Sequence, residues 1–238
     1  MLALFKASWS SVAELWEEMT RPGEDGSPAP WYRKAVAYWS QQEASNKGVL
    51  GGFDDLNPAD ITDSSEFVLK AQVALPLAPH WQSHGFGDEA SPPSQPAGES
   101  EPEKERKRKR DHPAAHGAVG FFRAGLEDFA PEPGRYDLIW IQWALLYLTD
   151  DDLLSWLARC RKALRPGGFL MAKENVSDKQ FVVDTEDLSI TRTQKHLLEL
   201  FHKAGFRLAG SAVQRNFPKG LYKVKMFALQ AKATAARA

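Results

Sequence analysis

The chain has 238 residues, of which 43% are hydrophobic and eight are tryptophans, so it can bury the core of one domain that carries irregular additions. A formal net charge of −1 argues against general affinity for nucleic acids or membranes, and no apolar run is long enough for a transmembrane helix. One cysteine, Cys160, excludes a disulfide framework within the chain and suits a reducing compartment, so we expect a cytoplasmic protein.

Three helices are predicted in the first third of the chain. Residues 8–19 and 31–42 place apolar side chains three and four positions apart, which is typical of amphipathic helices. Residues 21–30 form a linker between them, and residues 63–74 are a third helical candidate.

Residues 83–118 are rich in Ser, Pro, Gly and Glu and contain the basic run Lys104 to Arg110. Such a segment buries too little apolar surface to offset its chain entropy, so we expect it to be disordered. The basic run has two interpretations, a solvated linker or a nuclear-localisation signal, and the lack of interleaved aromatic residues argues against nucleic-acid binding. The predicted divisions are an N-terminal helix and linker (1–30), two parts of one domain (31–82 and 119–231), the low-complexity insert (83–118) and a tail (232–238).

The second half of the chain has the pattern of an α/β sheet. Tyr136 to Trp143 is an apolar run rich in strand formers, and a helix start follows at Thr149. A helix over 152–164 ends at "RPGG", and residues 169–175 read as the next strand. Ligands of parallel sheets bind at the carboxyl ends of such strands. A helix over 194–204 and an antiparallel pair, 206–214 with 222–230, are predicted to complete the domain.

Several segments resemble a known family. Strand, helix, "LRPGG" and strand are similar to the fourth-to-fifth strand unit of class I S-adenosylmethionine (SAM) methyltransferases. "YDLIWIQW…LTD", "LRPGGF…KEN", "VVDTEDLSITR" and "VKMFAL" together resemble the protein α-N-terminal methyltransferases, which methylate the α-amine of Xaa-Pro-Lys proteins. "AVAYW" and "GVLGG" extend the resemblance to residues 31–69 and 119–230. It implies a Rossmann-like α/β sheet with N-terminal helices, SAM as cofactor and Xaa-Pro-Lys N-termini as partners.

The resemblance also implies a site on the substrate side. Its members are the candidate catalytic acids Asp184 and Asp187 and the candidate binding residues Trp39, Trp143, Asn175 and Tyr222. The acids would hold the substrate's N-terminus and its third-residue Lys, the indoles would stack on the proline ring, and no metal is predicted. A solvated acidic loop and plain core packing are the alternatives for the acids and the indoles. Tyr147 stands where the family often has His, and a phenol with a pKa of about 10 is a poorer base near neutral pH.

The resemblance fails where the family holds the cofactor. Leu126, Glu127 and Gln142 match its contacts to the adenine side of SAM, but the chain has no glycine-rich loop of the form G-x-G-x-G. We therefore expect a sheet that is truncated in the first-strand region or partly filled by Phe67 to Leu77, and weak SAM binding. Two functions remain open: an α-N-methyltransferase, or a degenerate module (or altered splice or gene-model product) that binds Pro-Lys N-termini without methyl transfer.

Overall fold

The computed structural model describes residues 9–24, 26, 29–74 and 121–232, and these ranges form an α/β fold. The helices are α1 (Val12–Met19), α2 (Pro30–Trp39), α3 (Asn46–Val49), α4 (Asn57–Ala74), α5 (Asp150–Ala163) and α6 (Gln194–Lys203). The strands are β1 (Tyr136–Gln142), β2 (Leu164–Val176), β3 (Val182–Asp184), β4 (Ser189–Thr191), β5 (Phe206–Val213) and β6 (Lys223–Ala231). Single 3-10 turns lie at Asp54–Leu56 and Leu145–Tyr147, and the second is called the 145–147 turn below.

Four strands form one mixed sheet in the order β1-β2-β6-β5. β1 and β2 are parallel, whereas β6 runs antiparallel to both β2 and β5. Within the described ranges β1 pairs with β2 on one side only, and because residues 75–120 lie outside these ranges, truncation of the sheet stays a prediction. The alternative, that Phe67 to Leu77 fills this gap as a strand, is wrong for its described part, because Phe67–Ala74 continue helix α4.

The sheet is covered on both faces by helices. Leu170 and Ala172 of β2 belong to the main core cluster, which α5 and α6 share. Phe169 and Met171, whose side chains alternate with these along the strand, pack with Phe67 of α4 in a second cluster. This burial on both faces explains why residues 169–172 of β2 are all apolar rather than alternating with polar residues.

Several boundaries differ from the sequence-based ones. β2 begins at Leu164, so the predicted "RPGG" turn lies inside the strand. Residues 121–128 have an irregular backbone that ends in a turn, and residues 121–124 are the described part of a second unit, His80–Ala124. The basic run and the low-complexity insert lie outside the described residues. Among the helices that are described, none is long and apolar enough to span a bilayer.

Candidate functional site

Two of the predicted substrate residues lie at the carboxyl ends of the parallel strands. Trp143 directly follows β1, and its backbone N–H donates to the carbonyl of Lys173 on β2 at 2.9 Å. Asn175 lies two residues further along β2, half-buried and opposite Val224 of β6. Trp143 has a φ of 48°, a left-handed conformation that costs energy in a non-glycine residue and is enriched at functional sites.

A buried carboxylate fixes the turn that follows Trp143. Glu174 is 2% exposed, and its Oε1 accepts the backbone N–H groups of Ala144 at 3.0 Å and Leu145 at 2.8 Å. Burial raises the pKa of Glu174 to about 7, against the lowering effect of these two hydrogen bonds. Glu174 therefore satisfies two amides that would otherwise be unpaired at the start of the 145–147 turn.

Arg192 and Trp31 bind backbone carbonyl groups in and just after the same turn. The buried guanidinium of Arg192 donates to the carbonyl of Leu145 at 3.1 Å and to that of Leu148 at 2.6 Å. The indole N–H of Trp31, from α2, donates to the carbonyl of Tyr147 at 2.6 Å. The backbone of Tyr147 is thus fixed by groups from distant parts of the sequence.

The side chain of Tyr147 contacts one of the two predicted catalytic acids. Its hydroxyl donates to Oδ2 of Asp187 at 2.8 Å, and the backbone N–H of Ser189 donates to Oδ1 at 3.0 Å. Burial, with a smaller contribution from Asp184, raises the pKa of Asp187, while its hydrogen bonds oppose that rise. The segment "VVDTEDLSITR", interpreted from the sequence as a loop, is the β3–β4 hairpin, in which Leu188 is buried with a φ of 52°.

The other predicted substrate residues lie around this pair. The ring centroid of Trp39 is 5.8 Å from that of Tyr147, in an edge-to-face arrangement. Burial and the charge of Asp184 raise the pKa of Tyr222. The predicted residues Trp39, Asp184, Asp187 and Tyr222 therefore share one environment, half-buried and bounded by aromatic rings.

Sequence reasoning did not assign three residues that shape this site. It treated Tyr147 as a weak base, whereas the structure makes it a hydrogen-bond donor to Asp187. It gave Glu174 and Arg192 no role, although both are almost fully buried and fix the 145–147 turn. The available signal was the charge itself, because an acid that ends an apolar strand and an Arg between apolar segments are seldom buried without partners.

The residues predicted on the cofactor side have protein partners. The backbone carbonyls of Leu126 and Glu127 accept hydrogen bonds from the guanidinium of Arg159, each at 2.8 Å. The side-chain amide of Gln142 donates to Asp60 of α4 at 2.8 Å and accepts from the indole N–H of Trp140 at 3.2 Å. Both ends of the Gln142 amide are thus used within the protein.

These residues do not form a complete SAM site. Leu126 and Glu127 could serve the adenine end only, and the Gln142 amide would have to exchange its bond to Asp60 for one to the ligand. The described ranges contain no G-x-G-x-G cradle for the methionine and ribose ends. Weak SAM binding stays a prediction, and calorimetric titration of SAM into the full chain tests it.

Comparison with known proteins supports the resemblance. The sequence model of a family described as "AdoMet dependent proline di-methyltransferase" matches residues 27–78 and 103–230. The solved structure of a SAM-dependent methyltransferase from Leishmania major superposes with a TM-score of 0.67 at 29% sequence identity, covering 93% of this chain and 92% of that one.

Curated relatives agree with both findings. "Alpha N-terminal protein methyltransferase 1" of Arabidopsis thaliana is 34% identical, over 93% of this chain and 87% of the relative. "N-terminal Xaa-Pro-Lys N-methyltransferase 1-B" of Xenopus laevis is 31% identical, over 84% of this chain and 95% of the relative. The two segments that the family model matches include helices α2 to α4, both strands of the parallel pair and the β3–β4 hairpin. The chain therefore belongs to the AdoMet-dependent proline di-methyltransferase family.

Proposed function

We propose that this chain is a SAM-dependent methyltransferase that acts on the α-amine of proteins with an Xaa-Pro-Lys N-terminus. The observation that carries the proposal is the Asp187 carboxylate, half-buried, held by two donors and next to the aromatic ring of Tyr147, which in turn contacts Trp39. An anionic group beside aromatic rings suits a cation that is followed by an apolar ring, and an N-terminal ammonium group one residue before proline has this chemistry.

The residues have distinct parts in this scheme. Asp187 receives the α-ammonium group, and Asp184, at the end of β3, faces the side-chain ammonium of the third-residue Lys. Trp39 and Trp143 bracket the proline ring, and Tyr222 closes the same side. Asn175, on the central strand β2, bonds the peptide backbone. Fixed positions matter because transfer of a methyl group to an amine depends mainly on alignment of the reacting atoms.

Proton removal is assigned to the acids. An α-ammonium group has a pKa of about 8, so it must lose a proton before its lone pair can accept a methyl group. Burial raises the pKa of Asp187, which makes this carboxylate a better proton acceptor than an exposed Asp. Tyr147 does not share this task, because burial and the neighbouring Asp187 raise its pKa well above the ordinary value for a phenol.

The test is methylation of a short peptide that begins Ala-Pro-Lys by the purified full chain with SAM, followed by mass spectrometry. We expect mass gains of whole methyl groups on the α-amine, and none on the Nα-acetylated peptide or on an Ala-Ala-Lys peptide. The family and its relatives give no support to a module without methyl transfer. Tight binding of the Ala-Pro-Lys peptide with no mass gain, at saturating SAM, would contradict the proposal.

A further inference from the structure

The hydrogen bond between Tyr147 and Asp187 joins two segments that are 40 residues apart in the sequence. A carboxylate offers about four lone-pair positions on its two oxygens. The Tyr147 hydroxyl and the Ser189 amide occupy one position on each oxygen and so fix the plane of the carboxylate. The Ser189 side chain is a further donor to this carboxylate, and about one lone-pair position is left for a ligand.

We propose that Tyr147 is a positioning residue, which fixes Asp187 as the receptor of the substrate's α-ammonium group and keeps it ionised. This inference rests on the proposed function, because the ligand of Asp187 is taken to be a free N-terminus. It assigns Tyr147 a role through Asp187 rather than a role as a base.

The support of Tyr147 favours a fixed donor over an incidental contact. Its carbonyl accepts the indole N–H of Trp31, and its ring lies edge-on to that of Trp39. The 145–147 turn that carries it is closed by Glu174 at its start and by Arg192 at its end. Because the backbone of Tyr147 is fixed, its hydroxyl keeps one position and holds the Asp187 carboxylate there.

Several ionisable groups face the Tyr147–Asp187 pair. Burial and, after it, the charges of the hairpin acids Glu186, Asp187 and Asp184 raise the pKa of Tyr38 on α2. The charge of Glu174 also raises the pKa of Tyr147, by less than burial and the charge of Asp187 do. Asp187 thus lies among acids, and hydrogen bonds from the side chains of Ser189 and Tyr147 lower its pKa against the effect of burial. Ser189 belongs to the same hairpin as Asp187, whereas Tyr147 reaches it from the 145–147 turn.

Removal of the Tyr147 hydroxyl should change the pKa of Asp187 in one direction. In Tyr147→Phe the ionised form of Asp187 loses a hydrogen bond, so its pKa should rise further above the ordinary value. Asp187 then becomes protonated at a higher pH, and the acidic limit of peptide binding moves upward with it. Loss of a hydrogen bond to the ionised form should move the Asp187 midpoint upward by about one to two pH units.

The experiment compares wild type, Tyr147→Phe and the control Tyr32→Phe, all as full chains. Tyr32 also donates its hydroxyl to an acid, Asp152, but lies outside the site, so its variant shows the effect of losing a Tyr–Asp bond elsewhere. The carboxyl carbon of Asp187, assigned with the help of Asp187→Asn, is followed by NMR between about pH 3 and pH 8. Binding of an Ala-Pro-Lys peptide and its Nα-acetylated form is measured over the same range by calorimetry.

For Tyr147→Phe we expect the Asp187 midpoint to rise by about one unit or more and the free-amine peptide to bind about tenfold more weakly. Binding of the acetylated peptide should be unchanged, and Tyr32→Phe should behave as wild type in both measurements. An unmoved Asp187 midpoint, or an equal loss for both peptides, would overturn the positioning role. Equal affinity of the wild type for both peptides would instead contradict the proposed function and the receptor role of Asp187, whatever the midpoint does.

Discussion

The substitution Asp187→Asn tests the centre of the proposed site. Asparagine keeps the size of the side chain and one oxygen, which can accept the Ser189 amide. Its NH2 group takes the place of the oxygen that accepted the Tyr147 hydroxyl, and it can donate to that hydroxyl oxygen instead. It removes the negative charge, which in the wild type would face the substrate's ammonium group in a half-buried setting. The expected result is weaker binding of an Ala-Pro-Lys peptide with little loss of folding stability.

The structure supplies both a magnitude and a matched control. A hydrogen bond to a charged group contributes about 1.5–3 kcal/mol, so the dissociation constant should rise roughly tenfold or more. Glu186, the preceding residue, is exposed, and an exposed ion pair contributes about 0–1 kcal/mol. Glu186→Gln should therefore raise the dissociation constant less than about fivefold at low salt.

The assay is a calorimetric titration of the peptide into each variant, beside thermal unfolding of each free protein. Equal effects of Asp187→Asn and Glu186→Gln would show that binding responds to the net charge of the hairpin and would remove Asp187 from the site. A loss that appears only together with a lower unfolding temperature would mean that the substitution damages the fold.

Three further predictions concern buried groups. Asp60→Asn removes the anion that is paired with the fully buried ammonium of Lys173, so the free energy of unfolding in urea should fall by about 3–5 kcal/mol. A fall of less than about 1 kcal/mol would show that this ion pair does not stabilise the fold. Burial raises the pKa of the Cys160 thiol to about 12, so this thiol should react with a disulfide reagent in urea but not in the native protein at neutral pH. The pKa of Glu174 is raised from 4.5 to about 7 in the folded protein, so the wild type should lose stability relative to Glu174→Gln as the pH rises from about 4.5 to about 7, and the difference should be constant above that. A pH-independent difference between these two proteins would contradict the raised pKa.

Local patterns were sufficient to predict the parallel pair of strands and the helix between them. Thr149 caps α5 as expected, since its hydroxyl accepts the backbone N–H of Asp152 at 3.1 Å. Trp143 and Asn175 lie at the carboxyl ends of β1 and β2, at the same edge of the sheet, because two strands joined by a helix run parallel.

The hairpin and its contacts could not be predicted in this way. Leu188 adopts a left-handed backbone, which its sequence neighbours do not favour, and it does so because its side chain is buried against the N-terminal helices. The bond between Tyr147 and Asp187 depends on that hairpin and on the separately fixed 145–147 turn. Such a contact follows from tertiary packing rather than from residue spacing.

The hydrogen-bond partners of the cofactor-side residues could not be predicted from the sequence either. Gln142 matched the family by position, yet its amide is bound to Asp60, which also pairs with Lys173. A buried ion pair of this kind is costly to disturb, because a buried charge without its partner is strongly destabilising. The sequence pattern predicts the position of Gln142 in its strand. It does not predict the hydrogen-bond partner of Gln142, because that partner lies on α4, which packs against the sheet.

The residues on the substrate side of the site are fixed by the protein itself. The groups described above that fix Asp187, Tyr147 and Trp143 come from α2, β2, the 145–147 turn and the β3–β4 hairpin, and these segments bind one another through buried hydrogen bonds. An arrangement that is already fixed spends little binding free energy on ordering its side chains when a ligand arrives. Recognition of the N-terminal peptide should consequently be measurable in the absence of SAM, with the preference for a free amine intact.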